Sequence, residues 1–367
     1  MFAAAAFSYQ ICLHLNEKDP SLHSNIGALL LMQNRELESF NHFQNAIGID
    51  PLFRCAYMNM GLAYLSVGKM DNAEQMLNES RGGFKSLYNL AVLKQRKGDL
   101  DGALHFLKLA MDECVSEPEP HRLLATQLLG FIKISMCEWS EFDPIDHISL
   151  LNEFYDDEMN TGINQQNPSV CTEQTPISHS DDDTSRVDLR SQLGISDDVF
   201  LYACFNHPYE IDLEVFEVWI RILERTDSTC LLLIRHNEQM ERNLNAMTKK
   251  RGVEPERLIF IDDAAHKELF KRYSIIDLYL DTSLRSGRAE IRQALRSGSP
   301  VICIQETSGY GSSILSYLEL EQLAVQSLVE YEELAISLHS NEGQFIEIIR
   351  KLDDKLEEGN AFFPIIS

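Results

Sequence analysis

Two stretches hold the side chains whose types and spacing suit chemistry: Asp277 to Pro300, DLYLDTSLRSGRAEIRQALRSGSP, and Phe200 to Asp212, FLYACFNHPYEID. In the first, an apolar run at Ile275 to Leu280 enters a polar turn at Gly287. A helix over Arg288 to Arg296 follows, and a Gly-Ser-Pro turn leads into VICIQ. That order predicts a strand-turn-helix-strand unit of a parallel sheet, whose ligands gather beyond the C-terminal ends of the strands. A phosphate at the start of this helix would meet unpaired backbone N–H groups and the positive end of the helix dipole. Arg285, Arg288, Arg292 and Arg296 surround a single Glu290, a local cationic island in a chain of net charge -25. The island points to an anionic ligand, or else to a solvated helix face paired with acidic neighbours.

Other candidates carry less. His207 could serve as a base or a ligand contact, although beside Pro208 at a strand end it also reads as a turn residue. Tyr310 and Gly311 in TSGYGSS could form a phosphate-accepting loop or a flexible turn. His179 beside Ser180 and the aspartates at 181–183 sits in a polar stretch that reads as solvated loop. Spacing supports no Ser-His-Asp order and no catalytic carboxylate pair, so no catalytic residue is assigned. The eight cysteines are scattered, without C-x-x-C spacing or histidines at metal-ligand distance. No metal is expected, and reduced thiols fit a cytoplasmic or nuclear protein. Strong acidity argues against nucleic acid, because each neutralised phosphate needs a Lys or Arg. No apolar run reaches membrane-spanning length, and MFAAAAFSYQ lacks the basic start of a signal peptide.

The elements that must position these residues fall into three regions. Residues 1–155 read as a helical repeat domain with closing helices. Gly27 and Gly61 lie 34 residues apart, the tetratricopeptide period. Small residues recur where paired helices must pack closely: Gly27, Gly61 and Ala91 in the first helix, Ser39, Ala73 and Ala103 in the second. Phe43, Leu77 and Leu107 fill one shared large position, and Gly68 and Gly98 mark the turns. The third unit follows the second by only 30 residues, so a helix must end early near Arg81-Gly82-Gly83. Met1 to Lys18 is expected to supply the last helix of a preceding repeat. Such arrays expose a concave face suited to a peptide or protein partner. Residues 156–190 are polar and acidic, with too few apolar side chains to offset the entropy of ordering, and are expected to be a disordered linker. Residues 191–367 alternate strand and helix, which predicts one Rossmann-like parallel α/β lobe, closed by two helices.

CEWSEFD (Cys137 to Asp143), set between amphipathic helices after the repeats, resembles the junction between repeats and catalytic region in the O-linked N-acetylglucosamine transferase family. Trp139 would there be a buried anchor. QLGISDDVFLYACFNHPYEID and LDTSLRSGRAEIRQALRSGSPVICIQET are similar to the first strand and the donor loop of that family's second lobe. The resemblance implies a tetratricopeptide solenoid followed by a lobe of a two-lobed, GT-B type glycosyltransferase. It also implies transfer of N-acetylglucosamine from UDP to Ser or Thr hydroxyls. UDP-N-acetylglucosamine is then the possible donor substrate; no further cofactor is expected. Asn206, His207, Gly287, Arg288 and Arg292 become the candidate UDP-sugar contacts.

The positions that shape turns match the family: Asn206, Tyr209, Asp281, Thr282, Gly287, Gly298 and Pro300. The positions that would touch the donor differ. His207 stands where the family has Gln, Glu210 where it has Lys, His266 where it has a further Lys, and Gln293 where it has Asp. Arg288, Ala289 and Glu290 replace its His-Thr-Thr. A cation at 210 would stabilise charge on the departing diphosphate. The interval from Asp143 to Phe200 is also too short for the several βα units of a first lobe. The leading expectation is therefore an inactive or incomplete transferase-like protein that binds partners through its repeats. The alternative is a UDP-N-acetylglucosamine-dependent protein Ser/Thr glycosyltransferase, active alone or completed by a partner.

Overall fold

The computed structural model describes residues 16–80, 82–113, 119–139, 186–262, 271–305 and 309–358. The chain divides into two compact units, Met1–Ile132 and Lys133–Ser367.

In the first unit, α1 (Pro20–Leu31) packs on α2 (Glu36–Ile49), α3 (Arg54–Ser66) on α4 (Met70–Glu79), and α5 (Phe84–Arg96) on α6 (Leu100–Glu113). The repeated small and large positions explain the pairing. A Cβ on Gly27 would stand 2.5 Å from the ring of Phe43, and one on Gly61 would stand 2.8 Å from Leu77. Phe43, Leu77 and Leu107 are fully buried, as are Ser39, Ala73, Ala91 and Ala103. Gly68 and Gly98 take φ of 73° and 77° in the inter-helix turns, and Asn34 adopts the same left-handed region at φ 56° in the first. Helix α4 has 10 residues against 14 in α2, and Gly82 and Gly83 follow it at positive φ, which accounts for the shortened third spacing. The helix expected over Met1 to Lys18 lies outside the described residues up to 15; residues 16–18 form a turn before the Asp19 cap of α1. Helix α7 (Glu119–Ser135) crosses the division between the units.

The second unit runs α8 (Arg186–Gln192), β1 (Phe200–Cys204), α9 (Leu213–Arg225), β2 (Thr229–Arg235), α10 (Glu238–Lys250), β3 (Leu258–Asp262) and β4 (Leu278–Leu280). It continues with α11 (Arg288–Arg296), β5 (Val301–Ile304), α12 (Gly309–Tyr317), β6 (Ala324–Val325), α13 (Leu328–Ser340) and α14 (Glu342–Glu358). The six strands form a parallel sheet in the order β3-β2-β1-β4-β5-β6. Buried on both faces, β1, β2, β4 and β5 read as nearly continuous apolar runs.

Three expectations meet a different structure. The linker expected over 156–190 lies outside the described residues up to 185, but 186–190 belong to α8. There buried Arg190 bonds to the carbonyls of Ile275 and Val199, both at 2.9 Å, and to Asp277 at 2.7 Å. Apolar content could not reveal this, because a charged anchor holds the helix. The repeat domain was expected to reach 155, yet Cys137 and Trp139 are buried in the core of the second unit, Trp139 5.9 Å from Phe216. Finally, Tyr310 and Gly311 lie in the first turn of helix α12 and not in a loop.

Candidate functional site

Strands β1 and β4 are neighbours at the centre of the sheet, and the chain proceeds from them toward opposite edges. Ligand crevices of such sheets open at this reversal, beyond the C-terminal strand ends. Asn206 follows β1 and the pair Asp281-Thr282 follows β4, so the two corners singled out from sequence meet here.

Their meeting is a buried polar network. Asn206 Nδ2 donates to Thr282 Oγ1 at 2.6 Å, and Asn206 Oδ1 accepts from the Tyr279 hydroxyl at 2.5 Å. The Phe205 backbone N–H donates to the same hydroxyl oxygen at 3.1 Å. Behind it, Tyr331 of α13 donates to the Asp281 carbonyl at 2.8 Å, and Asp281 Oδ1 accepts from the Gly287 N–H at 3.2 Å. Asp212 caps α9 by accepting from the Val215 N–H at 2.8 Å, and Ser283 donates to its other oxygen. Bonds from several different elements lock the two corners together. Burial raises the Asp281 carboxyl to about 6, against hydrogen bonds that favour its charged form.

The helix N-terminus that was expected to receive a phosphate is met by the chain's own carboxylate. Gly287 caps α11 without a side chain, and Glu290 occupies the third helical position. A Cβ on Gly287 would lie 2.6 Å from Glu290 Oε2 and 2.7 Å from Asn206 Oδ1. Glu290 thus folds back over the helix start, where it accepts from its own backbone N–H. Beside it, Glu210 closes the turn Pro208–Glu210 by accepting from the His207 N–H at 3.2 Å. Burial, and then the charge of Glu290, push the Glu210 carboxyl up to about 8. Burial likewise raises that of Glu290.

The remaining candidates surround this centre. His207 is exposed and stacks on Tyr209 at 5.0 Å, with the tilted ring of His236 at 4.8 Å. Burial, reinforced by His207, lowers His236 to about 3, so it is neutral. Arg288 is exposed on the first turn of α11 with its guanidinium 5.9 Å from the Tyr310 ring centre, and half-buried Arg292 follows one turn later. Burial raises the Tyr310 hydroxyl's pKa, and the charges of Arg292 and Arg288 oppose that rise. Arg285 and Arg296 flank the helix as exposed residues. The cationic island therefore splits: Arg288 and Arg292 share one face, while Asn206 and Gly287 meet around Glu290. Among the described residues, six buried side-chain atoms lack a hydrogen-bond partner: His236 Nε2 just after β2, Asp281 Oδ2 just after β4, and Arg292 Nε and Gln293 Oε1 on α11, with Trp139 Nε1 and Asn245 Oδ1 elsewhere. Native interiors leave few such atoms, so those on α11 and after β2 and β4 are free to bond a ligand or water.

Comparison with known proteins decides the family. The profile of Glycosyl transferase family 41 matches residues 132–363. The chain belongs to this family. It is 33% identical over 167 residues to the probable UDP-N-acetylglucosamine--peptide N-acetylglucosaminyltransferase SEC of Arabidopsis thaliana, covering 44% of this chain and 17% of that protein. It is 30% identical over 152 residues to the Caenorhabditis elegans UDP-N-acetylglucosamine--peptide N-acetylglucosaminyltransferase, covering 41% of this chain and 13% of that one. The matched stretch thus spans less than a fifth of either relative. A mutant O-GlcNAc transferase from Thermobaculum terrenum shares the fold, with a TM-score of 0.52 at 16% identity over 94% of each chain. The helical N-terminal unit and the parallel sheet flanked by helices are those of a family 41 architecture, as the resemblance implied.

His236 and Tyr331 escaped the sequence reading, since neither lies in a motif. The position of Glu290 was legible in principle: a Glu at the third position of a helix capped by Gly is placed to fold back on the helix start.

Proposed function

We propose that this family 41 chain is catalytically silent in its α/β unit and acts through its repeats as a protein-binding module. The observation that carries this reading is the pair Glu290 and Glu210 at the start of α11, where a donor diphosphate would need N–H groups and a cation. A diphosphate would have to displace Glu290 from the helix terminus. It would also meet Glu210 where the family resemblance expects Lys. Because Glu210 is held near neutral at pH 7, the deficit is chiefly the missing cation. One unit charge at 4 Å is worth about 4 kcal/mol at an effective dielectric of 20. The short interval between Asp143 and Phe200 supports the same reading, as it leaves little chain for a first lobe. Tetratricopeptide arrays characteristically offer a concave face to a peptide or protein, and the three helical pairs follow that pattern. The free thiols Cys55, Cys137, Cys204, Cys230 and Cys303 fit action in the cytoplasm or nucleus.

A second reading has its own support. Arg292 Nε is buried without a partner beside Arg288, so these two arginines offer cations to a UDP-sugar by another route. The chain would then be a UDP-N-acetylglucosamine-dependent protein Ser/Thr glycosyltransferase, alone or completed by a partner. Calorimetric titration of UDP and UDP-N-acetylglucosamine into the full chain separates the two. Silence at millimolar nucleotide is expected. Micromolar binding that is lost in Arg288→Ala, with sugar transfer to a peptide, would overturn the proposed function.

A further inference from the structure

The first helical pair carries an arrangement that neither the repeat packing nor the sheet site explains. His23 on α1 and His42 on α2 face each other with their Nδ1 atoms 3.2 Å apart and their rings 5.3 Å apart. His23 is buried and His42 half-buried. The outer nitrogen of His23, Nε2, lies 3.3 Å from the Glu17 carbonyl oxygen. A carbonyl only accepts, so this contact places the His23 proton on Nε2 and leaves Nδ1 as a bare lone pair directed at His42. A ligating histidine is commonly oriented in this way, its second nitrogen donating to a backbone carbonyl.

The geometry points to a two-histidine site for a transition-metal dication of the zinc class, bridging α1 and α2 through the Nδ1 atoms of His23 and His42. With metal–nitrogen bonds of about 2.0–2.1 Å, two ligands of a tetrahedral ion stand roughly 3.3–3.4 Å apart, close to the observed separation. The pair is held in place. Gly27 lies one turn beyond His23 on α1, and Phe43 adjoins His42 on α2, so the tight Gly27–Phe43 approach fixes the helix spacing next to the imidazoles. Each histidine also follows a carboxylate by four positions, Asp19 before His23 and Glu38 before His42, and each carboxylate feels its histidine electrostatically. Arg35 binds both oxygens of Glu38 at 2.7 Å, so that carboxylate is already paired and is not a ready ligand. Among the described residues no cluster of three or more metal-binding side chains forms, so solvent completes the coordination. Bound metal would replace the single hydrogen bond between the two rings with two coordinate bonds, clamping the first repeat.

The test uses the full chain with Zn2+ in calorimetry and Cu2+ in electron paramagnetic resonance, beside His42→Gln, His23→Gln and the control His105→Gln. One site per chain is expected, with two-nitrogen coordination of Cu2+ and a metal-dependent rise in thermal stability. Either single variant should weaken binding at least tenfold and remove the rise, while the control preserves both. Circular dichroism without metal verifies that each variant is folded; should one of them unfold, the other and the copper spectrum of the unmodified chain decide. Absence of binding, equal affinity in folded variants, or a spectrum with one coordinating nitrogen would overturn the proposal.

Discussion

The helical unit and the α/β unit each bring side chains hard against a glycine, with opposite chemistry. At Gly27 and Gly61 the intruders are Phe43 and Leu77, apolar groups that fill space between paired helices. At Gly287 they are Glu290 and Asn206, polar tips converging on a helix terminus. An apolar close approach stabilises packing and recurs with the repeat. A polar one also occurs in the helical unit, where exposed Asp99 crowds Gly102 while accepting from its N–H, but only at Gly287 is the carboxylate partly buried beside unpartnered atoms. Glycine therefore marks close approach in both units, and burial of a polar intruder beside unpartnered atoms is what separates site from scaffold.

The largest effect expected from this contrast comes from changing the polar intruders. Glu290→Thr combined with Glu210→Lys frees the start of α11 and returns a cation to it, so UDP affinity should rise at least a hundredfold by calorimetry. Unchanged affinity would mean that the carboxylates are not what keeps a diphosphate out.

Next in size is a pH effect of a few kcal/mol. Glu210 is raised to about 8 when folded from an ordinary 4.5. The folded state therefore binds its proton more tightly than the unfolded state. The stabilisation is fully present below about 4.5 and is lost as pH rises through 8. Thermal unfolding followed from pH 5 to 9 should show stability of the second unit falling over that window, and Glu210→Gln should flatten the fall.

The glycines themselves give a smaller, paired outcome. Gly27→Ala drives a methyl into the buried Phe43 ring and should cost about 1–3 kcal/mol, confined to the helical unit. Gly287→Ala, at an ordinary φ of -75°, meets both Glu290 and the buried, hydrogen-bonded Asn206, so its loss should fall in the α/β unit as Glu290 is displaced from the helix start. Losses of both variants in the same unit in chemical denaturation would erase the distinction between the two close approaches. The smallest effect is expected at Lys97, whose bonds to Asp71 at 2.8 Å and Glu74 at 2.6 Å are exposed to solvent. Lys97→Ala should leave the melting temperature unchanged within error, as exposed ion pairs contribute little.

Much of the architecture was legible because it rests on local patterns. The 34-residue period, the small and large repeat positions and the positive-φ turn glycines are all short-range requirements of paired helices. Alternating apolar strands and amphipathic helices likewise announced the parallel sheet. Strand β6 was not legible, because two residues, Ala324 and Val325, carry no periodicity. Helix α8 was missed because buried Arg190, and not an apolar face, anchors it. Within the site, Asn206 and Gly287 were named from the two corners, and both stand in its centre.

The sequence by itself determined the alternation of β1 to β5 with helices, the repeat spacing and the family, since these depend on residue types at fixed separations along the chain. Only the tertiary structure decided which of the charged residues meet. It turned Glu290 onto the start of α11, set Glu210 beside it and drew Arg288 and Arg292 to Tyr310. Charge acts through distance and burial in space, and neither is written in the spacing of residues along a chain.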